Sequence, residues 1–204
     1  MQVDELLPKD DNQHLLDVAI AINSTAELDE DKAIGNPTES ALLLWLKSQD
    51  KDYRELRHQA KVLKQQPFST EKKYMATIAE VDGEKYLLVK GAPEIVLDLC
   101  EMEERYRNQA LRELDEWQHK AMRTLAFAYR RIDRGEAASE KSVPTIGQLL
   151  SAKDFTLQAL VAITDPIRKD VPAAVKECRH AGIEVKVVTG DTAATAMEIG
   201  KQIG

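Results

Sequence analysis

The run Val89-Lys90-Gly91-Ala92-Pro93-Glu94 concentrates more chemistry than any other short stretch of this sequence. An apolar, strand-like segment leads into it and a proline-initiated helix leads out, so Lys90 stands at the mouth of a tight turn. An ammonium flanked by glycine and alanine can reach an anionic ligand with little steric shielding, and its compact charge suits phosphate. The rival account is an ordinary exposed lysine at a strand end; the small neighbours favour the ligand. Phe68 follows Pro67 and precedes Ser69-Thr70-Glu71-Lys72-Lys73. A ring beside a lysine pair can stack on a base, worth about 1–3 kcal/mol, while Lys73 meets a ring edge or a phosphate. Taken alone, Phe68 reads better as a core residue.

Glu39 has two roles open to it. As the third residue after Asn36 it can close a capping box at a helix start, or its carboxylate can accept from an exocyclic amine. Arg123 can bind phosphate, or complement a helix dipole at a C-terminus. Thr189-Gly190-Asp191 follows an apolar run at a position where open parallel sheets bind ligands, and a hydroxyl with following amides suits phosphate. An ordinary strand-to-helix turn capped by Asp191 explains the same residues. Asp165-Pro166-Ile167-Arg168 brings a carboxylate and a guanidinium to that edge, or is simply a proline-initiated turn.

A net charge of −7 argues against a general nucleic-acid or anionic-membrane binder, which needs a basic face. Local convergence of Lys72, Lys73, Lys90 and Arg123 still suffices for a phosphate. The 204 residues, 43% of them hydrophobic, suit one large domain or one domain and part of another. Cys100 and Cys178 lie far apart without zinc-ligand spacing and read as reduced thiols of a cytosolic protein; no metal site is expected. Apolar runs such as 41–46 and 157–163 fall short of the about 20 residues that span a bilayer, and no signal peptide is expected.

The elements that must position these residues begin with helices at 12–22 and from Pro37, separated by a solvated loop at 28–32. Strands are expected at 61–66, 74–81 and 85–90, the last two joined by Asp82-Gly83. Helices follow at 93–99 and around Ala110, Leu111, Leu114, Trp117 and Ala121, then an alternating strand at 125–130 and a mobile loop at 133–144. The character changes near residue 156. The near-continuous apolar run 157–164 reads as a strand buried on both faces, followed by a helix at 171–181 capped by Gly182, a buried strand at 185–188 and a helix at 191–203. That alternation predicts a parallel unit. The expected fold is therefore α+β, an antiparallel sheet flanked by helices over 1–155, followed by a partial α/β parallel unit over 156–204.

Together these segments resemble a P-type cation-transporting ATPase. Gly35-Asn36-Pro37-Thr38-Glu39-Ser40-Ala41-Leu42 resembles the family's acidic adenine-site segment, and Phe68-Ser69 with Lys73 its phenylalanine–lysine segment. Lys90-Gly91-Ala92-Pro93-Glu94 resembles its nucleotide-site hallmark, and Met122-Arg123-Thr124-Leu125-Ala126 its arginine segment. Residues 165–171 and Thr189-Gly190-Asp191 resemble the start of its phosphorylation domain. The order is the family's, and the likeness covers essentially the whole chain. It implies that Phe68 stacks on adenine and Glu39 holds the adenine amino group. Lys73, Lys90 and Gly91 would line the pocket near base and phosphates, and Arg123 and Leu125 would bridge phosphate and ribose. Thr189, Gly190 and Asp191 would face the transferred phosphoryl group as catalytic residues, with Asp165 nearby.

The family's phosphorylated aspartate lies in an Asp-Lys-Thr-Gly-Thr motif that this sequence lacks; Met1-Gln2-Val3 resembles the residues that closely follow it. The Gly-Asp-Gly-x-Asn-Asp metal segment and the transmembrane helices are missing too. Phosphoryl transfer needs a nucleophile, a metal and charge stabilisation in line. The expectation is an excised cytosolic fragment of an integral membrane pump: a nucleotide-binding domain, then a partial phosphorylation domain of haloacid-dehalogenase type. It should bind ATP with Mg2+ without turning it over. Its expected partners are the phosphorylation, actuator and transmembrane domains of the same pump, and no nucleic acid. The Pro-Thr-Glu-Ser-Ala segment leans toward calcium pumps. The alternatives are a soluble haloacid-dehalogenase-type phosphatase, whose nucleophile would need a buried strand before Asp29, Asp31 or Asp50-Lys51-Asp52, and a ligand-free interaction domain. Strand edges of the truncated parallel unit could also pair two copies into a dimer.

Overall fold

The structure, a computed structural model, describes residues 1–8, 12–29, 32–133, 144–168, 170–188 and 193–204. Along the chain, β1 (Gln2–Pro8) leads to α1 (Gln13–Ile22), a short hairpin of β2 (Glu27–Asp29) and β3 (Lys32–Ile34), and then α2 (Pro37–Ser48) and α3 (Tyr53–Gln59). Next come β4 (Lys61–Gln66), β5 (Tyr74–Val81), β6 (Glu84–Gly91), α4 (Pro93–Leu99) and α5 (Glu104–His119). The chain continues through β7 (Arg123–Ile132), α6 (Ile146–Leu150), β8 (Thr156–Thr164), α7 (Val171–His180) and α8 (Ala193–Ile203).

Local chemistry sets most of these boundaries. The Asn12 side chain accepts from the Leu15 N–H at 3.1 Å and starts α1. Asn36 accepts from the Thr38 N–H at 2.9 Å, and Pro37 takes the first helical position of α2, where its missing N–H costs nothing. Asp82 and Gly83, at φ 51 and 78, both adopt the left-handed conformation that a two-residue hairpin between β5 and β6 requires.

Six strands form one antiparallel sheet in the order β1-β8-β7-β6-β5-β4, as an α+β fold with its sheet between helices demands. Helices α1, α2 and α3 cover one face, and Leu42, Leu43, Leu46, Leu88, Phe127 and Val161 are buried there. On the opposite face α4, α5 and α6 bury Val96, Leu97, Trp117 and Leu149 against Ile78, Val89 and Leu160. Each such side chain contributes about 1.5–3 kcal/mol of apolar transfer, so the two cores hold the sheet rigid from both sides.

Residues 157–164 do not form the parallel strand expected of a second unit. They are β8, antiparallel to β7 on one side and to β1 on the other. The run is apolar because helices cover both faces of this antiparallel sheet, which gives the pattern a parallel strand would give. With β1 and β7 occupying both its edges, β8 offers no place for another strand. The expected strand at 185–188 accordingly does not form: Val185 and Val187 are exposed, Val188 is 94% exposed, and α7 buries no side chain. The loop expected at 28–32 falls instead on β2 and β3, which pair Asp29 with Lys32. The mobile loop expected at 133–144 lies almost wholly outside the described residues. Both cysteines are unpaired thiols, and burial pushes Cys100 up to about 12, which leaves it inert.

One glycine is essential to the geometry. β6 ends against the chain entering β5, so a Cβ on Gly91 would stand 2.6 Å from the Lys73 carbonyl oxygen and 2.7 Å from Tyr74 Cβ. The next residue uses that same oxygen: the Ala92 N–H donates to it at 2.9 Å. Gly91→Ala is expected to lower stability by about 1–3 kcal/mol in urea denaturation. Gly147→Ala, whose added Cβ meets nothing within 4 Å, is expected to leave it equal or higher.

Candidate functional site

The sheet register brings most of the chosen residues to one end. Gly91 lies between Tyr74 and Ala126, and Arg123 pairs with Ile163. The ends of β6 and β8 therefore adjoin the starts of β5 and β7. Lys90 and Gly91 close β6 there, Arg123 and Leu125 open β7, and Phe68 and Lys73 belong to the loop entering β5. Asp165 follows β8 at the same end. Side chains alternate along a strand, so Arg123, Leu125 and Phe127 share one face, and Lys90, paired with Phe127, shares it with them. That face carries α1 and α2.

Lys90 is not the shielding-free lysine its position in the sequence suggests. It is 4% exposed, and its ammonium donates to Glu39 Oε1 at 2.6 Å and to the Asn23 carbonyl. Glu39 is 8% exposed, and its carboxylate is held by Lys90 and by the turn after α1. Asn36 supplies its half of the cap, but the Glu39 carboxylate turns away from the helix start. Its Oε2 accepts from the Thr25 N–H at 2.7 Å and hydroxyl at 2.9 Å, with the Ser24 hydroxyl at 3.5 Å. Burial by itself would raise the Glu39 carboxyl, but the Lys90 ammonium and the Thr25 donors together hold it below the usual carboxylate range. Burial pushes the Lys90 ammonium below its ordinary value, against the pull of Glu39.

Phe68 is 56% exposed, so it is not the core residue that its type alone suggests. Lys73 is exposed, holds φ at 58, and donates to Glu94 Oε1 at 3.4 Å in a solvent-exposed ion pair worth little. Arg123 is exposed and opens β7, three residues past Lys120, the C-cap of α5. Leu125 packs against the first core. Arg123 and Asp165 line one cleft of about 850 Å³, together with Gln2, Lys120, Thr164 and Glu198. Thr189, Gly190 and Asp191 lie outside the described residues. Among the described residues no group of His, Cys, Asp and Glu is placed to hold a metal ion, and no helix is long and apolar enough to cross a membrane.

Asn23, Ser24 and Thr25 were not among the residues chosen from the sequence. A polar triplet straight after an apolar helical run was the available signal, and it reads first as an ordinary helix end.

A sequence profile described as "P-type ATPase, cytoplasmic domain N" matches residues 11–170. The chain belongs to that family. It is 30% identical over 212 residues to Calcium-transporting ATPase 1 of Lactococcus lactis subsp. lactis (strain IL1403), an alignment covering 97% of this chain and 23% of that protein. Against Calcium-transporting ATPase 3, plasma membrane-type, of Oryza sativa subsp. japonica, it is 34% identical over 183 residues, 84% of this chain and 17% of that protein. Probable calcium-transporting ATPase 9, plasma membrane-type, of the same rice subspecies is 35% identical over 203 residues, 89% of this chain and 18% of its own length. The chain thus spans less than a quarter of the length of these relatives. The matched region takes in β2 to β8 and leaves β1 outside it.

The Lys90–Glu39 pair makes the N domain sensitive to loss of either charge. Lys90→Met leaves a carboxylate buried without its cation, and is expected to cost about 3–5 kcal/mol in urea denaturation. Adding Glu39→Gln to that variant should recover part of the loss. Acid should act through Glu39. Its stabilisation is present above the unfolded carboxyl value and is lost as pH falls through the lower folded value. The stability gap between the unaltered protein and Glu39→Gln should therefore shrink between about pH 7 and pH 3, and a gap that stays constant contradicts the assignment.

Proposed function

We propose that this N domain binds ATP at the sheet end where Phe68, Lys73, Lys90, Gly91, Arg123 and Leu125 gather. The observation that carries the reading is the exposed Phe68 ring, placed in the loop that brings Lys73 to the same end as Lys90. An uncovered aromatic costs apolar exposure in the free protein, and a purine face removes that exposure. Of the three N–H donors of Lys90, Glu39 and Asn23 take two; the third has no acceptor among the described residues and suits a ligand oxygen or ring nitrogen. In this reading adenine stacks on Phe68, and its amino group approaches an outer lone pair of the Glu39 carboxylate. Leu125 gives an apolar wall to the ribose, and Lys73 and Arg123 turn toward the phosphates. Gly91 keeps β6 close to the loop that carries Phe68.

Magnesium enters with the triphosphate. Lys73 and Arg123, both exposed at this end, fit phosphate oxygens and do not ligate a metal. The parent protein is proposed to be a calcium pump that conserves the energy of ATP as an aspartyl-phosphate, since the relatives above are calcium-transporting ATPases by name. Its phosphorylation, actuator and transmembrane domains are the partners of this N domain, which lies in the cytosol. The partial phosphorylation unit, of haloacid-dehalogenase type, is drawn from past Thr164, because β8 belongs to the antiparallel sheet. Asp165, Thr189, Gly190 and Asp191 are assigned to the phosphoryl group in that larger assembly.

The test is a titration of the whole chain with ATP, ADP and GTP, read by calorimetry and by thermal shift, because a ligand that binds only the folded state raises its stability. ATP is expected to bind, and Phe68→Ala to remove about 1–3 kcal/mol of that binding while leaving the unfolding midpoint of the free protein nearly unchanged. Equal ATP affinity with and without the Phe68 ring contradicts the proposal.

A further inference from the structure

We infer that Thr25 and Asn23 are positioning residues: the turn after α1 fixes where the Glu39 carboxylate and the Lys90 ammonium point. The inference depends on the ATP reading only for what that pair faces, and the mount itself is a separate observation.

The turn supplies a contact to each charged group. Thr25 gives Glu39 Oε2 both its backbone N–H, at 2.7 Å, and its hydroxyl, at 2.9 Å. Asn23 gives Lys90 its backbone carbonyl. The Asn23 side chain reaches β6 as well, its Nδ2 donating to the Leu88 carbonyl at 3.4 Å, two positions before Lys90. The pair is thus gripped through the turn on both of its members.

The turn is held in its own right from three further elements. From α3, Arg57 donates to the carbonyls of Ala21, Ser24 and Ala26, each at 2.9 Å. From β5, the Thr77 hydroxyl donates to Asn23 Oδ1 at 2.7 Å. From β4, Gln65 Nε2 reaches the Ile22 carbonyl at 3.1 Å and Thr77 Oγ1 at 3.0 Å. Asn23 and Thr77 are fully buried. A loop that served only to join α1 to β2 would need no such set of donors. Carbonyls that crowd the end of α1 are normally satisfied by water or by a glycine cap. Here side chains from separate elements satisfy them and leave the turn rigid, with Thr25 and the Asn23 carbonyl directed at the pair. Fixed supports of this kind set the orientation of a site's charged groups without touching the ligand.

Thr25→Val keeps the side-chain shape and the N–H but removes the hydroxyl donor; Thr25→Ser restores it. The first readout is the titration of the Glu39 carboxyl in the ligand-free chain, followed by carbon NMR. The groups facing that carboxyl are Lys90 from β6 and Ser24 and Thr25 from the turn. Losing a donor to the charged form should raise the midpoint in Thr25→Val, and Thr25→Ser should return it. The second readout is ATP affinity measured well below the unfolding temperature. It should fall roughly five- to tenfold in Thr25→Val and recover in Thr25→Ser. Thr77→Val loosens Asn23 without touching either charged group; it is read in both ways and stands in if Thr25→Val does not fold. An unmoved Glu39 midpoint with unmoved ATP affinity, at a lowered melting temperature, shows a purely structural turn and overturns the inference. If the unaltered chain fails to bind ATP, the nucleotide reading fails while the Glu39 midpoint still decides the positioning.

Discussion

A carboxylate and an ammonium meet 2.6 Å apart inside this domain, and neither tolerates that place without help. Removing a charge from water costs several kcal/mol, which mutual attraction offsets only when the remaining hydrogen-bonding positions are also satisfied. The Glu39–Lys90 pair meets that condition through Thr25, Ser24 and the Asn23 carbonyl. A requirement at one point thereby fixes three distant pieces of chain: the end of α1, the start of α2 and the end of β6. Such a pair adds little net stability compared with an apolar filling of the same shape. What it supplies is a single arrangement of those three elements, since any other leaves a bare charge.

The backbone imposes a second constraint at the same end. Gly91 lets β6 pass within contact of the Lys73–Tyr74 chain, and Ala92 hydrogen-bonds across the gap. A side chain there would push the loop carrying Phe68 away from the lysine on the neighbouring strand. The small residue after Lys90 therefore acts on spacing, and the charge before it acts on chemistry; together they explain why the two belong next to each other.

Local signals carried much of this fold. Asn36-Pro37 and Asp82-Gly83 act through hydrogen bonds and dihedral angles within a few residues, so the start of α2 and the β5–β6 hairpin were legible. The β4 to β7 strands and helices α1, α2, α4 and α5 were legible for the same reason, whereas α3 and α6, each too short for a clear apolar period, were not. The direction of β8 was not, because an apolar run buried on both faces looks alike whether its neighbours run parallel or antiparallel. β1 went unread, since Gln2 to Pro8 mixes charge and apolar character without a clean alternation. At the site, the residue types were legible from local context, but their common end of the sheet was not, because it follows from strand pairing. Nor was the burial of Lys90: a lysine carries no mark of its partner, and Glu39 lies 51 positions away. Glu39 itself was legible as a helix-start residue but not as a partner of Thr25, 14 positions back, because nothing in a sequence reports that a turn folds over a helix end.

The pairing of β1 with β8 sets Gln2 beside Thr164 and continues to Pro8 beside Ala159. β8 pairs along its other side with β7, so the first strand of the chain is stitched into the same sheet as the strands that come after it. Of the pairings in that sheet, β1 with β8 joins the residues most widely separated along the chain. The entropy of closing so long a loop must be met before its contacts reward it, which makes this seam the costliest in the sheet to nucleate.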